Sequence, residues 1–92
     1  MTNQLKFSVN PEASASVHEG GIVILHIGQG RLYTCNRTGA RIWRGIEQQL
    51  PLETIAEQIS GECRIDGGAA REQALRFVAD LERHALVQRR AA

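Results

Sequence analysis

The sequence predicts an α+β fold in which a three-stranded antiparallel sheet is followed by three helices. Two observations carry this. The β-branched and alternating runs are confined to residues 13–35, where Glu19-Gly20-Gly21 and Gly28-Gln29-Gly30 cut them into three short pieces. From Asn36 onward the apolar residues recur at helical spacing, broken only near Pro51 and Gly67-Gly68.

The elements follow in order. Residues 1–12 are polar apart from Leu5, Phe7 and Val9 before Pro11, and read as a flexible arm or a short edge strand. Ala13 to His18 is an extended segment, and Ile22 to Ile27 a β-branched strand. After a Gly-rich turn, Arg31 to Cys35 is the last strand of an antiparallel meander. Asn36 is a good N-cap, and Ala40, Ile42, Trp43, Ile46 and Leu50 then mark an amphipathic first helix. Pro51 suits a helix start; Leu52, Ile55, Ala56 and Ile59 carry a second helix to about Ser60, stopped by Gly61. A third and longest helix runs from Ala69 to about Ala85, with Ala70, Ala74, Leu75, Val78, Leu81 and Ala85 on its buried face. Leu86-Val87 close the core. The single domain spans residues 13–88, and 89–92 form a basic tail.

Size and composition exclude several functions. A chain of 92 residues makes one small domain. It buries roughly 60 to 70% of its unfolded surface, which leaves little room for an enclosed substrate cavity beside a core. Eleven basic against ten acidic side chains give a net charge of +1, without the basic excess typical of nucleic-acid binders. Cys35 and Cys63 stand far apart and do not alternate with His18, His26 or His84 at metal-ligand spacing, so neither a disulfide framework nor a metal site is expected. The longest apolar run, Ile22 to Leu25, is four residues, and the N-terminus has no signal-peptide pattern. The expected compartment is the cytoplasm, with no membrane partner.

Catalytic chemistry is not assembled by the pattern. Gly28-x-Gly30 lies between two strands with no helix behind it, so a hairpin turn explains it better than a phosphate cradle. Glu53, Glu57, Glu72 and Glu82 are single carboxylates on helix faces. No nucleophile, base and orienting group fall together, so the chain is read as a non-enzyme without cofactor. Arg37, Arg41 and Arg44 share one face of the first helix, which solvation of an outer surface explains better than contact with phosphate or an acidic partner does. Trp43 lies on the apolar face and reads as a core anchor.

Two features point to binding. Phe77 lies about 100° from Val78 around the third helix, on a strip with Gln73, Arg76, Asp80 and His84. There it either lines a groove or broadens the core face. Arg31 to Cys35, as the last strand of a meander, leaves an edge to which another strand can add. An open edge beside a long helix makes a peptide groove.

The run Gly30-Arg31-Leu32-Tyr33-Thr34-Cys35-Asn36-Arg37-Thr38-Gly39-Ala40-Arg41-Ile42-Trp43, followed by Leu52-Glu53-Thr54-Ile55-Ala56, Phe77-Val78-x-x-Leu81 and Leu86-Val87, resembles the PqqD-like proteins. These are peptide chaperones, or RiPP recognition elements, of ribosomally made natural products. The resemblance covers roughly residues 13 to 88. It implies a winged-helix-like fold that binds a precursor's leader peptide as an added strand on the third strand, against the third helix. The bound leader is then presented to a modifying enzyme or leader protease. Carried onto this chain, the strand would be Arg31, Leu32, Tyr33, Thr34 and Cys35. The helical wall would draw on Gln73, Ala74, Arg76, Phe77, Asp80 and Leu81, with Arg76 or Asp80 fixing charge preference. Two departures, Cys35 for a usual Leu and Ala85 for a common Gly, are expected as volume changes in or near the core. The chain lacks the acidic Pro-Glu turn and second-helix Asp-Gly associated with pyrroloquinoline quinone synthesis, and looks more like the stand-alone partners of lasso-peptide clusters. The rival readings are a peptide chaperone of pyrroloquinoline quinone synthesis, a nucleic-acid-binding winged helix and a structural dimer module.

Overall fold

A computed structural model describes residues 5–90. Three antiparallel strands come first after a short lead-in strand: β1 Lys6–Val9, then β2 Ala13–His18, β3 Gly21–His26 and β4 Arg31–Cys35. The helices are α1 Arg37–Glu47, α2 Leu52–Cys63 and α3 Gly67–Arg83, and a last strand, β5 Val87–Arg90, closes the chain. Strands β2, β3 and β4 form one sheet in that order, so the expected meander is present with its third strand as β4.

Side-chain alternation sorts that sheet into two faces. Ile22, Ile24 and His26 pair with Cys35, Tyr33 and Arg31 on the inner face, where Ile22 and Ile24 enter the core. Val23 and Leu25 pair with Thr34 and Leu32 on the outer face. Close approach requires Gly21, because a Cβ there would collide with the Cys35 carbonyl oxygen. His26 is buried, with its Nδ1 accepting from the Gln29 amide at 3.1 Å, which braces the β3–β4 turn.

Asn36 caps α1 as the sequence implied, its side-chain oxygen accepting from the Gly39 amide at 2.9 Å. Helix α1 places Ile42, Trp43 and Ile46 in the core beside Ile55 and Ile59 of α2 and Ala70, Ala74 and Val78 of α3. Two helix boundaries differ from expectation. Helix α2 runs through Gly61 to Cys63, because Arg64 rather than glycine takes the left-handed cap at φ 54°. Helix α3 starts two residues early at Gly67, because the Asp66 carboxylate accepts from the Gly68 and Ala69 amides at 2.9 and 3.3 Å.

The chain ends are also corrected. The N-terminal segment takes its strand alternative over Lys6–Val9, but it pairs with β5 and not with the meander. Arg89 and Arg90, expected as part of a tail, are strand residues opposite Phe7 and Lys6. Phe7 is 1% exposed, and the Arg89 guanidinium sits 5.7 Å from its ring centroid. Asn10 fastens the joint: its amide donates to the Leu86 carbonyl at 2.9 Å and its Nδ2 to that of Ala85 at 2.8 Å. The outer parts of the expected arm and tail, residues 1–4 and 91–92, lie outside the described residues.

Candidate functional site

Strand β4 has β3 on one side and no strand on the other among the described residues. The hydrogen-bond phase of the sheet fixes which of its backbone groups are free. The Ile27 amide donates to the Glu12 carbonyl at 2.9 Å, so odd-numbered residues of β3 bond to β2 and even-numbered ones to β4. Ile22, Ile24 and His26 therefore bond to Cys35, Tyr33 and Arg31. The amides and carbonyls of Leu32 and Thr34 are left pointing from the open edge.

Facing that edge is one strip of α3. Gln73, Phe77, Asp80 and His84 follow at i, i+4, i+7 and i+11, a rise of about 16 Å. The five residues of β4 span about 13 Å from first to last Cα, most of that rise. The His84 ring stacks on Tyr33 of β4, centroids 4.8 Å apart, and ties the strip to the strand at one end. Toward the other end the Phe77 ring lies on Gly39 at the start of α1.

Two cavities lie along this line. One, of about 300 Å³, lies between Asn36, Thr38, Gly39 and Ile42 of the α1 start and Gln73, Arg76, Phe77 and Asp80 of α3. The other, of about 460 Å³, lies between Gln29, Arg31, Tyr33, Arg83 and His84. Charges on the strip are locally compensated: Arg76 pairs with Glu72 at 2.8 Å, and Arg83 with Asp80 at 3.2 Å. These are exposed pairs, readily exchanged for a ligand's groups. Burial pushes the Cys35 thiol up, which keeps it protonated and a poor nucleophile. No group of three His, Cys, Asp or Glu side chains suited to a metal occurs among the described residues.

Of the residues singled out from sequence, Gln73, Arg76, Phe77 and Asp80 line the first cavity and Arg31 and Tyr33 the second, Cys35 lies beside Gly39, and Leu32 and Thr34 offer the open edge their backbone only. Leu32 is 66% exposed on the outer sheet face, opposite to the face that looks toward Phe77. Ala74 and Leu81 do not belong to the wall: at 0% and 3% exposure they are core residues with no surface for a ligand. Phe77 does both things sequence left open, packing half-buried against the core while lining the cavity. His84 and Gly39 were missing from the candidate set, although His84 sits seven residues from Phe77 on the same helix face.

The family model for Coenzyme PQQ synthesis protein D (PqqD) matches residues 21–87, most of the chain. The chain belongs to the PqqD family. No curated protein matches it. Two solved structures share the fold of this PqqD-family chain. One is TbiB1 in complex with the TbiA(beta) leader peptide, at TM-score 0.84 and 21% identity, covering 92% of this chain and 99% of that one. The other is a lasso peptide synthetase B1 complexed with the leader peptide, at TM-score 0.83 and 20% identity, covering 90% and 98%. Within the family frame, Ala85 is a matter of backbone and not of core volume as expected: it is exposed and adopts a left-handed φ of 59°, which glycine takes at less cost.

Proposed function

We propose that this PqqD-family protein binds the leader region of a ribosomally synthesised precursor peptide as an extra strand on β4, against α3, and delivers it to a modifying enzyme or leader protease. The observation that carries the reading is the outward-facing backbone of Leu32 and Thr34 beside an α3 strip of comparable length. Backbone bonds supply affinity that tolerates sequence variation, and side chains give selectivity on two faces. Alternate leader residues meet Tyr33, Cys35 and Phe77 on one side and Leu32 and Thr34 on the other. The chain's part is binding; bond-making belongs to its partner. Likeness to two leader-peptide complexes, one of a lasso peptide synthetase B1, supports a lasso-peptide type of pathway.

The family match favours one second reading, a peptide chaperone in pyrroloquinoline quinone synthesis. Fluorescence anisotropy of a labelled leader from the precursor encoded beside this chain, at low and high salt with a labelled duplex DNA control, tests the proposal. Saturable leader binding that survives salt, with no DNA signal, is expected. Binding to DNA alone, and only at low salt, would overturn it.

A further inference from the structure

A further cavity, of about 520 Å³, lies away from the groove along α3. It lies between the β2–β3 turn, α1 and the end of α2. Exposed Val17 is its main apolar surface, with Ala40 and Ile59 largely covered beneath, and Arg37, Arg41 and Arg44 line it with three guanidinium groups. Their charge is only partly compensated. Arg41 forks onto Glu62 in a solvent-exposed pair, of a kind that contributes little and exchanges readily. Arg37 donates to the Glu19 backbone carbonyl at 2.9 Å, which occupies its Nε but leaves its charge unanswered. Arg44 makes no ion pair among the described residues.

Thr38 lines both this cavity and the Phe77 cavity, so the two adjoin across the first turn of α1. The path around that turn is about 10 Å, some three extended residues of peptide. The positive end of α1 faces it and favours carboxylates. A strand added antiparallel to β4, the commoner and stronger pairing, enters past Cys35, so its N-terminal flank is the part that reaches Thr38.

We propose that the arginine-rimmed cavity binds acidic side chains of the leader segment N-terminal to the added strand, with an apolar neighbour on the exposed Val17 side chain. This rests on the leader-binding reading above. Guanidinium forks suit carboxylates bidentately, and the acidic Glu62 and Glu19 beside a concave floor oppose a duplex phosphate backbone.

Three fluorescein-labelled synthetic leaders of the neighbouring precursor test this: the full leader, the leader truncated to its strand segment, and the full leader with flank Asp and Glu changed to Asn and Gln. The full leader should bind about fivefold more tightly than either other peptide, the scale of one exposed charge pair. The double variant Arg37→Glu, Arg44→Glu should erase that difference while leaving affinity for the truncated peptide unchanged, and a cooperative melt should show the fold retained without the Arg37 bond to the Glu19 carbonyl. Equal affinity of all three peptides for the wild type, or a flank with no Asp or Glu, would overturn the inference and leave the groove reading standing. Failure of even the truncated peptide to bind would remove both. Unchanged leader affinity with lost modification in the double variant would assign the cavity to an acidic surface of the enzyme instead, and overturn the inference.

Discussion

Gly39 and Phe77 are in contact so close that a Cβ on Gly39 would stand 2.9 Å from the Phe77 Cζ and 2.8 Å from the Cys35 Cβ. The floor of the α3 groove therefore depends on a missing side chain. Gly39→Ala should drive the Phe77 ring into the groove, costing about 1 to 3 kcal/mol by overpacking and weakening leader binding. Phe77→Ala should weaken binding too, with a smaller stability loss than a fully buried aromatic would give. Urea unfolding beside anisotropy separates the two effects. Wild-type affinity in Gly39→Ala would mean that the ring does not border the bound peptide.

Thr34→Pro is the sharpest test of strand addition. Its amide points away from β3, so the substitution removes no bond of the native sheet. Stability should change by less than about 1 kcal/mol while leader affinity falls roughly tenfold, the loss of one hydrogen bond to the leader plus a ring clash. Thermal melts and leader titration check this. A cooperative collapse of the fold on substitution would show that the edge runs the other way round.

Trp43 should behave oppositely. It is 1% exposed in the core, and its Nε1 has no hydrogen-bond partner among the described residues. Trp43→Ala should cost about 3 to 5 kcal/mol. Trp43→Phe should cost clearly less, because it also removes an unsatisfied buried donor. Equal losses in chemical denaturation would contradict the second statement.

Cys35 supplies a pH dependence. Its folded-state pKa is raised by burial above that of the unfolded chain. The associated stability is complete below the ordinary thiol range and disappears as pH rises through the folded value. The stability difference between wild type and Cys35→Ala should therefore shrink as pH is raised from about 7 to about 10. Cys63 is exposed and common to both proteins. A constant difference across that range would show a solvated Cys35.

Ala85→Gly should raise stability by about 1 kcal/mol, by relieving a left-handed residue that has a Cβ. Circular dichroism melts read it directly. An unchanged or lower Tm would mean that glycine's extra freedom in the unfolded chain offsets the gain.

Local chemistry made most of the fold legible. Ile22 to Leu25 announce a strand, Asn36 caps a helix, and the period change between them places the sheet before the helices. Phe77 and the strand Arg31 to Cys35 pointed to the groove because helix phase and edge position can be read one element at a time. The misses are non-local. Val87-Gln88-Arg89-Arg90 has no apolar alternation, and its partner lies at the far end of the chain, so nothing local marks it as a strand. Helix α2 outran Gly61 because Arg64 takes the left-handed cap, a choice made by the Ser60 and Ile65 contacts that follow. Ala74 and Leu81 were grouped with the groove because they share its helix, whereas packing against α2 and β5 decides which side of that helix is covered.

The β1–β5 pairing sets Lys6 directly across from Arg90. The described chain thus starts and finishes at the same spot, on a sheet separate from the one that carries β4. A unit built this way can be grafted into a surface loop of a host enzyme through two adjacent junctions, with no rethreading and no obstruction of the open β4 edge. The same geometry that staples this small protein shut makes it portable.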